Sequence, residues 1–185
     1  MLSIRYATAD DAALIADISR QTFYETFSPL NSKLDMDIFM NIQFTKGRLM
    51  LEVGRPENIF LLAYNHSEVA GYVKLRDTRH PKLLGSSNAL EIARLYAMPN
   101  MIGKGVGKLL MQESLKIAVE KKKDIVWLGV WKENSIAIEF YKSWGFTIFD
   151  ECDFVLGNDL QKDWLMKKEI DLKNANVNSI RLKQP

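Results

Sequence analysis

A chain of 185 residues is long enough for one domain with a sizeable core and short for two. Apolar residues make up 47% and charged residues 26%, within the soluble globular range, and 25 basic against 23 acidic residues leave a formal net charge of +2. That near-balance gives no electrostatic case for nucleic acid or an anionic membrane as partner.

Leu2 to Thr8 alternates as a first strand should. Thr8 stands where a helix cap would, with Asp10 and Asp11 in the first turn. Ala12, Ile15, Ile18, Thr22-Phe23 and Phe27 recur at helical spacing, and Ser28-Pro29 stops the helix. Residues 33–53 are helical again, with Gly47 and Gly54 expected to break the stretch. Asn58 to Tyr64 and Val69 to Leu75 are short apolar runs joined by Asn65-His66-Ser67-Glu68, a β-hairpin.

Arg76 to Ser87 is polar, carries Pro81 and Gly85, and reads as a mobile loop. Ala89 to Met98 is a third central strand, halted by Pro99. A glycine-rich loop and a helix to about Lys122 follow. Asp124 to Trp131, rich in β-formers between charges, is a buried strand. Glu133 to Ser143 is a helix ending at Gly145. Phe146 to Leu156 and Leu160 to Ile170 form a hairpin around Gly157-Asn158-Asp159. Residues 171–185 are polar and read as a frayed tail, so the domain is expected over residues 1–170. Helix crossovers after Met98 and Trp131 imply parallel pairing in the middle of an otherwise antiparallel sheet.

With Cys152 alone, neither an intrachain disulfide nor a zinc cluster of several thiolates is available, and His66 and His80 lack a metal-ligand spacing. No metal is expected. Both histidines stand in loop-like sequence, which disfavours a Ser-His-Asp mechanism. No apolar run approaches the roughly 20 residues of a membrane span. Met1-Leu2-Ser3-Ile4-Arg5 lacks a signal peptide's basic start and apolar middle, so the cytoplasm is the expected location.

The chemistry concentrates in Ile102-Gly103-Lys104-Gly105-Val106-Gly107-Lys108, between a strand and an amphipathic helix. Glycines let backbone approach a ligand, the helix start offers unpaired N–H groups and positive potential, and Lys104 and Lys108 add charge. Such a site suits a diphosphate. It is not a P-loop: Gly103 and Gly107 have the wrong gap and Leu109 occupies the hydroxyl position. A Rossmann site would open the domain, whereas this loop comes after four strands.

Leu95-Tyr96-Ala97-Met98-Pro99 precedes the loop, and Asn134, Ala137, Phe140-Tyr141 and Gly145-Phe146 follow the strand Trp127 to Trp131. In this order and spacing the chain resembles the GNAT superfamily of acyl-CoA N-acetyltransferases. The resemblance covers residues 95–146 by motif and 1–170 by predicted strand order. Ile102 departs from the glutamine or arginine that usually opens the loop. The fold implied is α/β: a mixed, mostly antiparallel seven-stranded sheet with a central parallel pair and about four flanking helices. Thr22 to Phe27, Ala70 to Leu75, Leu90-Glu91-Ile92 with Arg94, Trp127 to Trp131, and Gly157 with Gln161 and Asp163 look in addition like the bacterial PaiA-type spermidine/spermine acetyltransferases.

The resemblance implies direct transfer of acetyl from acetyl-CoA to a primary amine, a polyamine first. A protein lysine, an N-terminus or an aminoglycoside are the other acceptors within the family, and an idle acyl-CoA sensor is the alternative outside catalysis. Residues Tyr96, Ala97 and Met98, the loop residues Gly103, Lys104, Gly105, Val106, Gly107 and Lys108, and Asn134 are implied for the cofactor. Tyr141 is implied as general acid, Glu91 as the base with Glu25 as rival, and Tyr24 and Glu25 for the acceptor. Asp35 and Asp37 join Glu25 and Glu91 as anionic contacts for a polyamine. Relatives that acetylate protein N-termini often place an acid where Gly129 stands. Trp144 and Trp164 are expected to be packing residues and Lys121-Lys122-Lys123 a solvated helix end. The sequence does not give the oligomeric state; many relatives dimerise through edge strands, and the Phe146 to Ile170 hairpin offers such an edge for a homodimer by analogy.

Overall fold

The computed structural model describes residues 1–77, 84, 85 and 87–172. Most of the expected loop between residues 76 and 87, including His80 and Pro81, and nearly all of the tail at 171–185 lie outside the described residues.

Strand β1 (Leu2–Tyr6) leads into a short 3-10 turn over Ala9–Asp11 and helix α1 (Ala12–Phe27). Thr8 and Asp11 form the expected N-terminal box: the Thr8 amide donates to Asp11 Oδ2 at 2.8 Å. Arg5 clamps the same carboxylate with two bonds of 2.8 Å, which holds the acid well below the usual carboxylate range. Ile15, Ala16, Ile18, Ser19, Thr22 and Phe23 make the buried stripe of α1.

The second helical stretch breaks elsewhere than expected. Helix α2 (Lys33–Ile38) runs into a π-helical turn over Phe39–Gln43, and helix α3 (Lys46–Met50) starts afresh. The break falls at Phe44-Thr45, and Gly47 lies inside α3. Thr45 caps the new helix by accepting the Arg48 amide at 3.3 Å, and Arg20 from α1 takes up the carbonyls of Met40 and Phe44. A side chain from another helix therefore sets the boundary that glycine was expected to set.

Strands β2 (Asn58–Asn65) and β3 (Glu68–Arg76) form the predicted hairpin, with His66 at a positive φ of 57° in its turn. Strand β4 (Ala89–Ala97), helix α4 (Val106–Glu120), strand β5 (Ile125–Trp131), helix α5 (Ser135–Ser143) and the hairpin β6 (Thr147–Leu156)/β7 (Asp159–Glu169) complete the chain. The sheet runs β1-β2-β3-β4-β5-β7-β6. Only β4 and β5 pair in parallel. The crossover through α5 does not give a second parallel pair, because β7 inserts between β5 and β6 and is antiparallel to both. Among the described residues there are five α-helices where about four were expected.

Helices α4 and α5 cover one face through Val106, Leu110, Met111, Ile117, Ile138 and Tyr141, packed on Leu61, Val73, Leu90, Val126 and Leu128. Helices α1 to α3 cover the other, where Phe23, Met36, Phe39, Met40, Phe44, Leu49 and Leu156 form a separate aromatic-rich cluster. Both faces of the middle strands are thus buried, as near-continuous apolar runs require. Gly71 of β3 is needed here: a Cβ on it would meet the Tyr96 carbonyl oxygen at 2.5 Å and Val106 at 2.8 Å. Its bareness lets the start of α4 settle on the sheet.

Lys123 overturns the expectation of a solvated lysine run. Its ammonium is buried, paired with Asp77 and donating to Asn88 Oδ1 at 2.8 Å, while Lys121 reaches Asp77 at 3.1 Å. The loop leaving β3 and the end of α4 are pinned together by this ion cluster. Among the described residues no helix is long and apolar enough to cross a membrane.

Candidate active site

Strands β4 and β5 pair at only three positions, Ala89–Ile125, Leu90–Val126 and Glu91–Trp127, and then diverge. A register shift against β3 between Lys74 and Leu75 leaves Ala93 of β4 unmatched, a bulge that turns the strand away from its neighbour. Beyond Glu91 the side of β4 toward β5 has no strand partner. The divergence opens a cleft of about 380 Å³. Asn134, Ala137 and Tyr141 line it from the α5 face, and Phe23, Phe27, Phe39 and Phe44 from the α1 face, so the cleft passes through the sheet.

The glycine loop follows β4, whose Leu95 and Tyr96 line the cleft, while no loop residue is itself among the lining. Gly103 and Gly105 take positive φ of 78° and 85°, values that a side chain would strain. No side chain caps α4; its first helical bond runs from the Leu109 amide to the Gly105 carbonyl at 3.0 Å. The amides of Val106, Gly107 and Lys108 therefore have no acceptor within the helix. Lys104 and Lys108 are exposed, and no carboxylate among the described residues pairs with them. Phe140 of α5 packs at 3.6 Å from where a Gly107 Cβ would stand, joining the two helices beside the loop. Open space surrounds Gly103. These features fit the diphosphate of a coenzyme A thioester.

The family model for the Acetyltransferase (GNAT) family matches residues 14–146. The chain belongs to the GNAT acetyltransferase family. An uncharacterised N-acetyltransferase from the pepI 3' region of Lactobacillus delbrueckii subsp. lactis is 39% identical over 155 residues, 83% of this chain and 88% of that protein. The spermidine N(1)-acetyltransferase of Thermoplasma acidophilum is 28% identical over 163 residues, 84% of this chain and 95% of that one. The crystal structure of the PaiA N-acetyltransferase of T. acidophilum in complex with coenzyme A superposes with a TM-score of 0.73 at 24% identity, covering 91% and 99% of the two chains.

The structure of this acetyltransferase distributes the anticipated site residues unevenly. Tyr141, Asn134 and Tyr96 line the cleft. Tyr141 sits on α5, and burial pushes its phenol up to about 12. Asn134 caps α5, its Oδ1 accepting the Ala137 amide at 3.1 Å, which leaves its Nδ2 donor over for a ligand. Tyr96 stacks on Tyr72 with ring centroids 5.9 Å apart, and burial raises its phenol as well. The Met98 amide is already given to the Ala70 carbonyl at 2.8 Å.

Glu91 occupies the last paired position of β4, salt-bridged to Arg76 at 3.3 Å, and is not among the cleft-lining residues. Tyr24 and Glu25 are exposed on α1 and are likewise not among them. Gln21 donates to Glu25 at 3.1 Å. Asp35 accepts from Ser32 at 2.5 Å and from the Asn158 amide at 2.9 Å, and Asp37 is bound by Lys33 at 2.5 Å.

The cleft also holds residues that the PaiA-type resemblance includes but to which it gave no role: Arg94, Gln161 and Asp163. Arg94 projects into it from β4, held bidentately by Glu52 at 2.6 and 3.0 Å and lying 4.8 Å over the Phe44 ring. Glu52 also binds the buried Lys74 at 3.1 Å. Burial pulls the Lys74 ammonium down to about 8. Gln161 and Asp163 reach the cleft from β7. A signal existed for these two: with Leu165 they fall on one face of the strand at period two, a polar pair in line with a buried leucine.

Proposed function

We propose that this enzyme transfers acetyl from acetyl-CoA to a primary amine by direct attack, with a polyamine as the leading acceptor. The observation that carries the reading is the cleft through the sheet, which brings the glycine loop's end of β4, Asn134 and Tyr141 to the same opening as an aromatic acceptor pocket. In this reading Val106, Gly107 and Lys108 offer their amides to the diphosphate, with Lys104 and Lys108 balancing its charge. The unpartnered side of β4 around Tyr96 and Ala97 and the Asn134 amide hold the pantetheine arm.

Three tasks remain at the reacting atoms. The acceptor must lose a proton, because an alkylamine with a pKa of about 10.4 is charged and non-nucleophilic at neutral pH. Donors must meet the carbonyl oxygen as it gains charge, a role for the backbone of the diverging β4. The departing sulfur must be protonated, and Tyr141, kept neutral by burial, supplies the O–H. Glu91, held by Arg76 outside the cleft lining, would act on the acceptor only through intervening water. The polyamine preference is supported by the likeness to the T. acidophilum spermidine N(1)-acetyltransferase.

The test is thiol release from acetyl-CoA with spermidine, spermine, a lysine peptide, an N-terminal peptide and an aminoglycoside in parallel. Saturable turnover with the polyamines, at micromolar to low millimolar concentration as enzymes commonly show, is the expected result. Turnover confined to the peptides or the aminoglycoside would replace the acceptor. Acetyl-CoA binding with no release by any amine would favour a sensing role.

A further inference from the structure

Four carboxylates were expected to meet the acceptor, and three of them, Asp35, Asp37 and Glu91, are occupied by hydrogen bonds or ion pairs, while Glu25 is exposed on α1. One acidic side chain among the described residues lines the cleft, and it is Asp163. It stands on β7 opposite Trp131 of β5 and leans across Gly129, with Oδ2 3.6 Å from where a Gly129 Cβ would be. The missing side chain at position 129 gives it that room. Its Oδ1 is buried and has no hydrogen-bond partner.

A buried carboxylate oxygen without a partner is costly unless something comes to meet it. What surrounds it indicates the visitor. Phe27 and Trp131 meet edge to face at 5.8 Å, and Phe39 and Phe154 stand 5.6 Å apart, lining the same space. Aromatic faces and one buried anion together suit an ammonium group on a slender apolar stem. Both arginines of the lining are engaged by carboxylates, Arg76 by Glu91 and Arg94 by Glu52, which Arg94 shares with Lys74.

Resting on the acetyltransferase reading above, we propose that Asp163 is the catalytic carboxylate that receives the acceptor's ammonium group and removes its proton. The carboxylate takes one proton from R–NH3+, giving R–NH2 and a neutral Asp163. The nitrogen lone pair forms the N–C bond to the thioester carbonyl carbon, and the C–S bond breaks with its electron pair leaving on sulfur. Tyr141 protonates that sulfur and is reprotonated by the second hydrogen lost from nitrogen. Asp163 then returns its proton to solvent. The sum is ammonium plus thioester giving amide, thiol and one proton.

The groups that interact with Asp163 are Tyr96 from β4 and Cys152 from β6, and Tyr141 of α5 lines the same cleft; all three are neutral groups whose ionisation burial opposes. Strand β5 contributes Gly129 and Trp131, helix α1 contributes Phe23 and Phe27, and Arg94 and Arg76 share the cleft in their ion pairs. In this setting burial raises the Asp163 carboxyl to about 6. It is then ionised at neutral pH yet basic enough to accept a proton, where a general base works best.

Asp163→Asn and Asp163→Glu, assayed with spermidine from pH 5 to 9, test this, alongside calorimetric binding of spermidine and n-butylamine to the enzyme saturated with coenzyme A. Wild-type kcat/KM should fall as pH drops through about 6. Asp163→Asn should lose ~100-fold or more in kcat/KM for the amine, a usual size for a general base, and lose that acid limb, with KM for acetyl-CoA unchanged. Asp163→Glu should recover part of the rate with a displaced limb, which a packing role would not produce. Amine binding should weaken in Asp163→Asn whether or not thiol is released, so the site can be judged even if no tested amine turns over. An Asp163→Asn enzyme with the wild-type limb and rate would overturn the proposal. So would wild type that binds neither amine.

Discussion

Gly157, at the turn between β6 and β7, lies against the backbone of Asp35 at the start of α2. A Cβ on that glycine would stand 2.5 Å from Asp35 Cα and 2.6 Å from its carbonyl oxygen. The Asn158 amide donates to Asp35 Oδ1 at 2.9 Å, and Gln161 donates to Asn31 Oδ1 at 2.5 Å. The last hairpin is thereby fastened to the segment that carries Phe39 and Phe44, and together they close the acceptor side of the cleft. With φ at +65°, Gly157→Ala adds strain to the clash, about 2 kcal/mol in all. Thermal unfolding should fall by about 5 °C for a chain of this size. KM for the amine should rise while KM for acetyl-CoA holds.

Tyr141→Phe should lower kcat by ~100-fold or more, the usual scale for a lost general acid, and leave coenzyme A affinity unchanged. Because burial lifts the phenol to about 12, it stays protonated across the working range, so no basic limb below pH 10 should belong to it. Calorimetry with coenzyme A and pH-resolved steady-state kinetics separate the two effects. Unchanged kcat in this variant would remove Tyr141 from the chemistry.

Gly105→Ala places a side chain at φ 85° in the loop proposed to offer its amides to the diphosphate. The strain of about 1 kcal/mol can be relieved only by turning those amides. KM for acetyl-CoA should rise about fivefold, the factor that about 1 kcal/mol produces, with little change in KM for the amine. Competition by free coenzyme A should weaken in parallel.

Asp163→Asn should stabilise the fold while impairing catalysis. The carboxyl goes from 3.8 unfolded to about 6 folded, so folding favours its protonated form. The stabilisation that protonation brings is complete below about pH 3.8 and is lost as pH rises through about 6. Above that pH the wild type bears the cost of a half-buried charge, about 1–2 kcal/mol after solvent screening, and the amide does not. Melting temperatures of the two proteins should converge at pH 4 and part at pH 8, with the variant higher.

Glu52→Gln removes the anion shared by Arg94 and Lys74, both largely buried. Leaving two interior cations to face each other should cost about 3 kcal/mol, visible as a lower urea midpoint at constant slope. The variant Glu52→Asp, which keeps the charge, should recover part of the loss.

The succession of elements along the chain, the hairpins and the glycine loop's place were legible because each rests on local pattern: alternation in β2 and β3, Pro99 and the glycines after β4, Asn134 ahead of α5. The acceptor side was not. Thr45 and Arg20 set the boundary of α3 through contacts that no spacing reveals. Glu25 and Asp35 are acidic and near the right segments, yet one faces solvent and the other serves a turn. Asp163 is among the residues that carry the PaiA-type resemblance and shares a strand face with Gln161 and Leu165, yet neither signal gives it a role. Only the insertion of β7 beside β5 places it over Gly129. Sequence near a site can be read from its own chemistry, whereas sequence brought there by topology cannot.

That insertion has a consequence for synthesis on the ribosome. Of the described strands, the next-to-last to emerge, β6, ends as the outer edge, and the last, β7, ends inside the sheet. Until β7 leaves the exit tunnel, β5 presents an open edge of backbone donors and acceptors to whatever is nearby. The nascent chain by then has its nucleotide loop and Tyr141 but neither Asp163 nor the clasp at Gly157. The loop proposed for the coenzyme thus emerges before the carboxylate proposed for the amine, and the chain is most adhesive just before β7 joins the sheet.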